Sequence, residues 1–152
     1  MKRTLLLAAG FAAALSTSAT AQSPYDMPIA ARQGVMAIMA INMGVLGGMA
    51  RGKIDYDADA AQTAANALHG ISMIDYTSLF PEGSDNMNLD NTRADFPIWD
   101  NAAGFTAEWA KVQMAAPVLA AEAGNGKDAM VTALGGIGGT CKSCHKAFRG
   151  PE

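Results

Sequence analysis

The sequence predicts an all-α protein, an antiparallel four-helix bundle. Three observations support this fold class. The composition is rich in Ala and Met and poor in runs of β-branched residues, which favours helix over strand. Four segments carry apolar residues at helical spacing. Two short links and one long link join these segments, as expected for four antiparallel helices of similar length.

The first 21 residues are interpreted as a secretory signal peptide rather than as part of the fold. Lys2 and Arg3 form a positive start, Leu5–Leu15 is a short apolar run, and Ala19–Ala21 offers a small-residue cleavage site. The apolar run is shorter than the roughly 20 residues that a membrane-spanning helix needs. No later segment is expected to have the length or purity to span a bilayer. The sequence therefore predicts an exported chain that starts after cleavage and forms one domain over residues 22–152.

The first two helices are predicted over Met27–Arg51 (helix A) and Asp57–Leu79 (helix B), with Asp57 as the N-cap of helix B. The apolar positions of helix A are Ile29, Met36, Met39, Met43, Leu46 and Ala50. Those of helix B are Ala61, Ala64, Leu68 and Ile71. Because each set recurs at steps of three, four or seven, each helix has one face to bury.

The last two helices are predicted over Ala102–Ala123 (helix C) and Lys127–Arg149 (helix D). Their apolar residues step by three and four without interruption. Those of helix C are Phe105, Trp109, Val112, Ala116, Leu119 and Ala123. Those of helix D are Met130, Leu134, Ile137, Cys141, Cys144 and Phe148. Four glycines between Gly135 and Gly139 cost helix stability, which suggests that something bulky lies against helix D or that the helix begins later.

The charge balance argues against nucleic acid as a partner. The net charge of the whole chain is −3, and it would become −5 once Lys2 and Arg3 leave with the signal. No basic stretch that could follow a phosphate backbone is visible. A redox partner attracted by charge is compatible with these values, but charge alone does not choose one.

Both cysteines lie inside one short motif, Cys141-Lys142-Ser143-Cys144-His145, close to the C-terminus. Cys-x-x-Cys-His is the attachment signature of c-type haem. On a helix, the two cysteines and the histidine project to one side. Each thiol can add to a haem vinyl group, and the imidazole then reaches the iron as an axial ligand. The sequence therefore predicts one covalently bound haem c in the core of the bundle.

Three alternatives to haem fit this cysteine pair less well. A disulfide between Cys141 and Cys144 would close almost no loop and so stabilise little. A thioredoxin-like redox pair needs a βαβ context, and no strands are predicted. A zinc site needs a fourth ligand, and His69 is the only other histidine. An exported chain with this motif on a helix favours haem.

With these features in place, the sequence resembles the class II c-type cytochromes, the cytochrome c′ family. The resemblance covers essentially the whole mature chain and includes the C-terminal position of the haem motif. The other matching segments are Arg32–Met36, Ala50–Lys53, Leu79–Gly83, Pro97–Trp99 and Gly138–Thr140, with Arg149 as the basic residue one turn after the haem histidine. The resemblance implies an antiparallel four-helix bundle, a periplasmic location and often a homodimer packed through helices A and B.

The ligand on the far side of the iron must come from upstream, since few residues follow His145. The bundle brings helix A, which carries Met36, Met39, Met43 and Met49, across the haem from helix D. Met36 matches the distal position of the family. In the low-spin branch a Met there binds iron and the protein transfers electrons, whereas in the high-spin branch the iron stays five-coordinate and takes up nitric oxide or carbon monoxide. The run from Met36 to Tyr56 resembles the low-spin branch, and Met36 is predicted to ligate iron.

Arg32 and Gln33 are predicted to lie on the propionate side of the haem. Arg32 falls on the apolar face of helix A, where an unpaired charge is costly. The resemblance implies that a haem propionate neutralises it, with Gln33 alongside. The alternative is an Arg whose stem covers the core while its head reaches water.

The function predicted from these observations is a single-haem electron carrier in the periplasm. His145 would be the proximal ligand, with Cys141 and Cys144 as the thioether anchors. Its partners would be redox proteins, without stable insertion into a membrane. A gas-binding cytochrome with an open distal site is the alternative. An enzyme is not expected, because no acid–base pair is visible beside the predicted haem pocket.

Overall fold

The computed structural model describes residues 23–151, and these form a helical bundle as predicted. The predicted signal peptide lies outside the described residues. The helices are α1 (Asp26–Ala50), α2 (Ala58–Ser72), α3 (Pro97–Asp100), α4 (Ala102–Glu122) and α5 (Lys127–Phe148), with a short 3-10 helix at Tyr76–Leu79. Within residues 23–151 the only extended pairing is a single β-bridge between Ala94 and Arg149. The four long helices confirm the all-α fold class.

The four long helices surround one apolar core. α1 packs against α2 and α5, and α4 packs against α2 and α5. The apolar stripes meet at the centre, where the largest fully enclosed apolar side chains are Leu46, Leu68, Leu119, Met130 and Ile137. Burial of each such side chain contributes about 1.5–3 kcal/mol. The helical periodicity therefore identified the buried face of each helix.

The predicted bounds of three helices agree with the structure to within one residue, and the predicted N-cap of α2 is confirmed. Asp57 has an extended backbone, and its carboxylate accepts a hydrogen bond of 2.8 Å from the backbone N–H of Ala60. This bond satisfies one of the N–H groups that the first turn of a helix leaves without a partner.

The predicted end of helix B at Leu79 is wrong, because α2 ends at Ser72. The next position on its apolar stripe after Ile71 would be Asp75, so a longer helix would turn a carboxylate toward the core. The chain leaves the helix instead, and α4 binds the carbonyls that are released. The Gln113 side chain donates to the Ser72 carbonyl at 3.2 Å, and the Trp109 indole donates to the Ile74 carbonyl at 3.3 Å.

The tight turn between α4 and α5 is held by Tyr56, which lies in the segment between α1 and α2. Gly126 has a φ of 111°, a conformation that residues with a side chain rarely adopt. The Tyr56 hydroxyl donates to the Ala123 carbonyl at 2.8 Å and accepts from the Gly126 N–H at 3.0 Å. The turn is therefore tied to the segment that joins α1 to α2.

The long polar link between α2 and α4 lies against the C-terminal end of α5. The Asp95 N–H donates to the Phe148 carbonyl at 3.1 Å, and the Gly150 N–H donates to the Arg93 carbonyl at 2.9 Å. The Arg93 side chain also donates to the Gly150 carbonyl, at 2.8 and 3.0 Å. These bonds bring the link beside the helix that carries the Cys-x-x-Cys-His motif.

The expectation that no segment after the signal has the length and purity to span a bilayer is wrong. α1 is long and apolar enough to cross a bilayer, with a mean hydropathy of 1.5 in its most apolar window. In the structure, however, this helix buries Arg32 and packs against α2 and α5. Its apolar character is thus partly explained by its contacts within the bundle.

Candidate functional site

A cavity of about 620 Å³ lies between α1, α4, α5 and the long link. This volume is in the range typical of small-molecule and cofactor sites. Apolar and aromatic side chains form most of the wall. They include Met36, Met39 and Met43 of α1, Phe105, Trp109 and Val112 of α4, Phe148 of α5, and Tyr76, Phe80 and Ile98 of the connecting segments.

The haem-attachment motif opens onto this cavity. α5 is unbroken from Lys127 to Phe148, so the helix does not begin late at its glycines. Cys141, Cys144 and His145 all line the cavity, as does Gly138 one turn earlier. The cysteines are half-buried and form no disulfide. No protein atom lies within 4 Å of the Cβ position at Gly138, which leaves space on this side of the helix.

Burial and neighbouring charges shift the pKa values of all three motif residues. Burial raises the pKa of Cys141. Burial, the Glu108 carboxylate and Cys141 together raise the pKa of Cys144 to about 11. Burial and the positive charges of Arg149 and Arg93 lower the pKa of His145. The imidazole is thereby favoured in its neutral form, which is the form that binds metal ions.

The residues present fit a haem better than a zinc ion. Among residues 23–151, no group of three or more His, Cys, Asp or Glu side chains could hold a metal ion. His69 lies on α2 and does not line the cavity. A haem needs a large apolar cavity, two thiols and one imidazole, and all of these converge here. When bound, haem c would supply an iron that cycles between two oxidation states.

Arg32 is 4% exposed, so the alternative in which its head reaches water is wrong. Its Nη1 donates to Ser84 Oγ at 2.8 Å and to the Leu79 carbonyl at 3.3 Å. Its Nη2 donates to the Ser84 carbonyl at 2.5 Å and to Thr92 Oγ1 at 2.6 Å. The guanidinium also lies over the Phe80 ring, 4.7 Å from its centroid. Both terminal nitrogens therefore bind the long link.

Arg32 and Gln33 both line the cavity, as predicted for residues on the propionate side. Gln33 is exposed, and its amide donates to the Asn91 carbonyl at 2.7 Å. Arg149 is exposed at the end of α5 and also lines the cavity. Contact of Arg32 or Gln33 with a propionate remains a prediction.

Met36 is half-buried and lines the same cavity as His145. Met39 and Met43 line it too, whereas Met49 is buried elsewhere in the core. The structure therefore places three thioethers of α1 at the cavity, and iron ligation by Met36 remains a prediction.

An aromatic wall, formed by Tyr76, Phe80, Phe105, Trp109 and Phe148, was not predicted as part of the site. Tyr76 stacks on Trp109 with ring centroids 4.4 Å apart, and Phe80 meets Phe105 edge to face at 4.9 Å. Phe105, Trp109 and Phe148 had been recognised as apolar stripe residues. Periodicity alone does not distinguish a side chain that fills the core from one that lines a cavity.

Sequence reasoning also missed Glu108. Ser143, inside the haem motif, donates to Glu108 of α4 at 2.5 Å, and Lys111 pairs with the same carboxylate at 2.5 Å. These bonds lower the pKa of Glu108 and join α4 to the motif. Glu108 falls outside the apolar stripe, and no sequence signal marked it.

Comparisons with known proteins show the family of this chain. The family model described as Cytochrome C′ matches residues 27–149. A cytochrome c′ of Cereibacter sphaeroides is 36% identical over 149 residues, which cover 98% of each chain. A cytochrome c-554 of the same organism is 33% identical over 80% of this chain and 91% of its own.

Comparison with solved structures also finds cytochromes c′. A solved cytochrome c′ from Rhodobacter Spheriodes superimposes with a TM-score of 0.82 and 34% identity, covering 86% of this chain and 100% of its own. Together with the family match over residues 27–149, this shows that the chain belongs to the cytochrome c′ family and carries one covalently bound haem c.

Proposed function

We propose that this cytochrome is a periplasmic electron carrier with Met36 as the sixth iron ligand. Cys141 and Cys144 would hold the haem, and His145 would bind its iron. The observation that carries the proposal is the position of Met36, which lines the same cavity as His145 from the facing helix α1. A thioether ligand favours ferrous iron and raises the reduction potential.

A carrier role is also supported by what lines the cavity. Within the described part of the chain, the wall contains no Asp or Glu that could exchange protons with a substrate. An iron with both axial positions filled exchanges electrons without binding small molecules. The protein would then act as a carrier rather than as an enzyme.

Gas binding is the second candidate function. A solved cytochrome c′ variant from Alcaligenes xylosoxidans, 26% identical with a TM-score of 0.72, is a nitric oxide complex. The cavity here is large and lined by flexible Met side chains, which can fill space as well as ligate. If Met36 only packs, the iron remains open on this side.

The deciding experiment is the visible spectrum of the purified holoprotein, with and without carbon monoxide. The variants are Met36→Leu and, as a matched control, Met39→Leu, since both thioethers line the cavity and Leu conserves volume. The wild-type protein and the control should both show low-spin spectra that ignore the gas. Met36→Leu should become high-spin and respond to carbon monoxide.

Three results would contradict the proposal. A high-spin wild-type spectrum that shifts with carbon monoxide would favour gas binding. A Met36→Leu spectrum identical to that of the wild type would show that Met36 only packs, and loss of the low-spin spectrum in Met39→Leu would move the ligand to that residue.

Export to the periplasm is part of the same proposal and rests on the signal pattern of residues 1–21. Fractionation of cells that express the full chain should recover the holoprotein in the periplasm. Its mass should correspond to a chain that begins at Gln22. A haem-free, uncleaved chain in the cytoplasm would contradict export.

We also infer a homodimer through α1. Ile38 and Ile41 are 49% and 67% exposed, and the exposed Ala30, Gly34 and Ala37 lie on the same side of the helix. A solved cytochrome c′ that is 28% identical, with a TM-score of 0.77, shows ligand-controlled dimer dissociation. Ile41→Lys should shift the protein to monomer in sedimentation velocity, and a wild-type monomer would contradict the inference.

A further inference from the structure

Tyr76 carries a buried hydroxyl that no protein group binds. The residue is 5% exposed and lies on the short 3-10 helix that follows α2. Its ring is held on two sides, since it stacks on Trp109 at 4.4 Å and meets Phe80 edge to face at 5.0 Å. Across residues 23–151, however, its hydroxyl has no hydrogen-bond partner.

This hydroxyl faces the haem cavity. Tyr76 is one of the lining residues. Among the described residues, Asn86 Oδ1 is the one side-chain N or O atom that is both fully enclosed and without a hydrogen-bond partner. The Tyr76 hydroxyl also has no partner, so it is not fully enclosed and keeps some accessible surface. With the ring packed against Trp109 and Phe80, that surface is directed into the cavity. Buried hydroxyl groups nearly always have a partner, and here the cavity must supply it.

The position of the hydroxyl indicates what that partner is. Besides burial, two side chains shift the pKa of Tyr76: Cys144 raises it and Arg32 lowers it, and they lie on the facing helices α5 and α1. The other ionisable groups of the lining are Arg93, Cys141, His145 and Arg149. The charged groups of the described lining are therefore the three arginines, all of them cationic. This environment suits an anionic acceptor, and the two propionates are the anionic groups on the rim of a haem.

Arg32 alone does not supply all the hydrogen-bond donors that a propionate can accept. Its two terminal nitrogens are engaged by Leu79, Ser84 and Thr92, and only its Nε is left without a partner among the described residues. A carboxylate has two oxygens and about four acceptor positions. A further donor beside Arg32 would therefore improve the site.

We propose that the Tyr76 hydroxyl donates a hydrogen bond to a haem propionate, which makes Tyr76 a haem-binding residue that sequence reasoning did not identify. Burial raises the pKa of Tyr76 well above its usual range, so the hydroxyl keeps its proton and remains a donor. The proposal depends on the bound haem c and not on ligation by Met36.

The test is Tyr76→Phe in the holoprotein, which removes the hydroxyl and keeps the ring contacts. The matched control is Tyr56→Phe, because that hydroxyl binds Ala123 and Gly126 away from the cavity. Resonance Raman spectra report hydrogen bonding to propionates through their bending mode. This band should shift in Tyr76→Phe and stay in place in the control. The reduction potential of Tyr76→Phe should fall, since a carboxylate without its donor carries a less screened negative charge beside the iron.

The outcomes separate this proposal from that of an electron carrier. An unchanged Raman band in Tyr76→Phe overturns it, even if the reduction potential moves, because a change in packing alone could move the potential. An equal band shift in both variants overturns it too. Failure of the electron-carrier proposal would show instead in the wild-type spectrum with carbon monoxide, whatever Tyr76→Phe does.

Discussion

Replacement of Arg32 should reveal how much a buried cation contributes to this fold. Arg32→Met keeps most of the stem volume and removes four hydrogen bonds of 2.5–3.3 Å to Leu79, Ser84 and Thr92. Bonds to a charged donor contribute about 1.5–3 kcal/mol each, or roughly 6–12 kcal/mol before costs. Desolvation of the buried cation offsets several kcal/mol of this stabilisation. A net loss of about 3 kcal/mol in the free energy of unfolding is expected.

The assay is guanidinium unfolding of the holoprotein followed by far-UV circular dichroism. Gln33→Met is the matched control, since the neighbouring Gln33 is exposed and makes one hydrogen bond. It should cost less than about 1 kcal/mol. Arg32→Lys keeps the charge but not the planar fork, so it should lose much of the same stability. An Arg32→Met protein within about 1 kcal/mol of the wild type would refute the reasoning, because the four bonds would then only offset desolvation.

Three further changes test other parts of the fold by the same unfolding assay. Burial would raise the pKa of Asp85, but hydrogen bonds from Asn88 and from backbone N–H groups lower it overall, so its contribution is present above the unfolded-state pKa and is lost as pH falls through the folded-state pKa. Asp85→Asn should therefore flatten the loss of stability below about pH 4, and an unchanged acid limb would contradict this. Asp57→Ala should cost about 1 kcal/mol because the Ala60 N–H loses its cap, and no loss would refute the cap's role. Gly126→Ala should cost about 1–3 kcal/mol from backbone strain alone, since no atom lies within 4 Å of the new Cβ, and a neutral result would contradict that strain.

The helices could be read from the sequence because each has one apolar face and recognisable ends. Asp57 marked the start of α2, and the apolar stripe of α4 was identified residue by residue. The end of α2 was missed because Leu79 resumes an apolar pattern after Asp75. The chain there forms a separate 3-10 helix, and its Tyr76 stacks on Trp109 of α4.

The part of the candidate site that depends on residues close in sequence could be predicted. Cys141, Cys144 and His145 are close in sequence, so one turn of helix places them together whatever the rest of the fold does. Met36 and Arg32 were found through a family resemblance, and the structure places both at the cavity. Tyr76, far from the motif in sequence, had no such signal.

The sequence by itself determined the helical fold class and the haem-attachment motif, because both depend on residues within a few turns of one another. Only the tertiary structure decided which side chains share the cavity and which groups accept hydrogen bonds from Arg32. Its partners Leu79, Ser84 and Thr92 lie 47 to 60 residues away. Contacts over such distances depend on how helices and links pack, and periodicity within one helix carries no record of them.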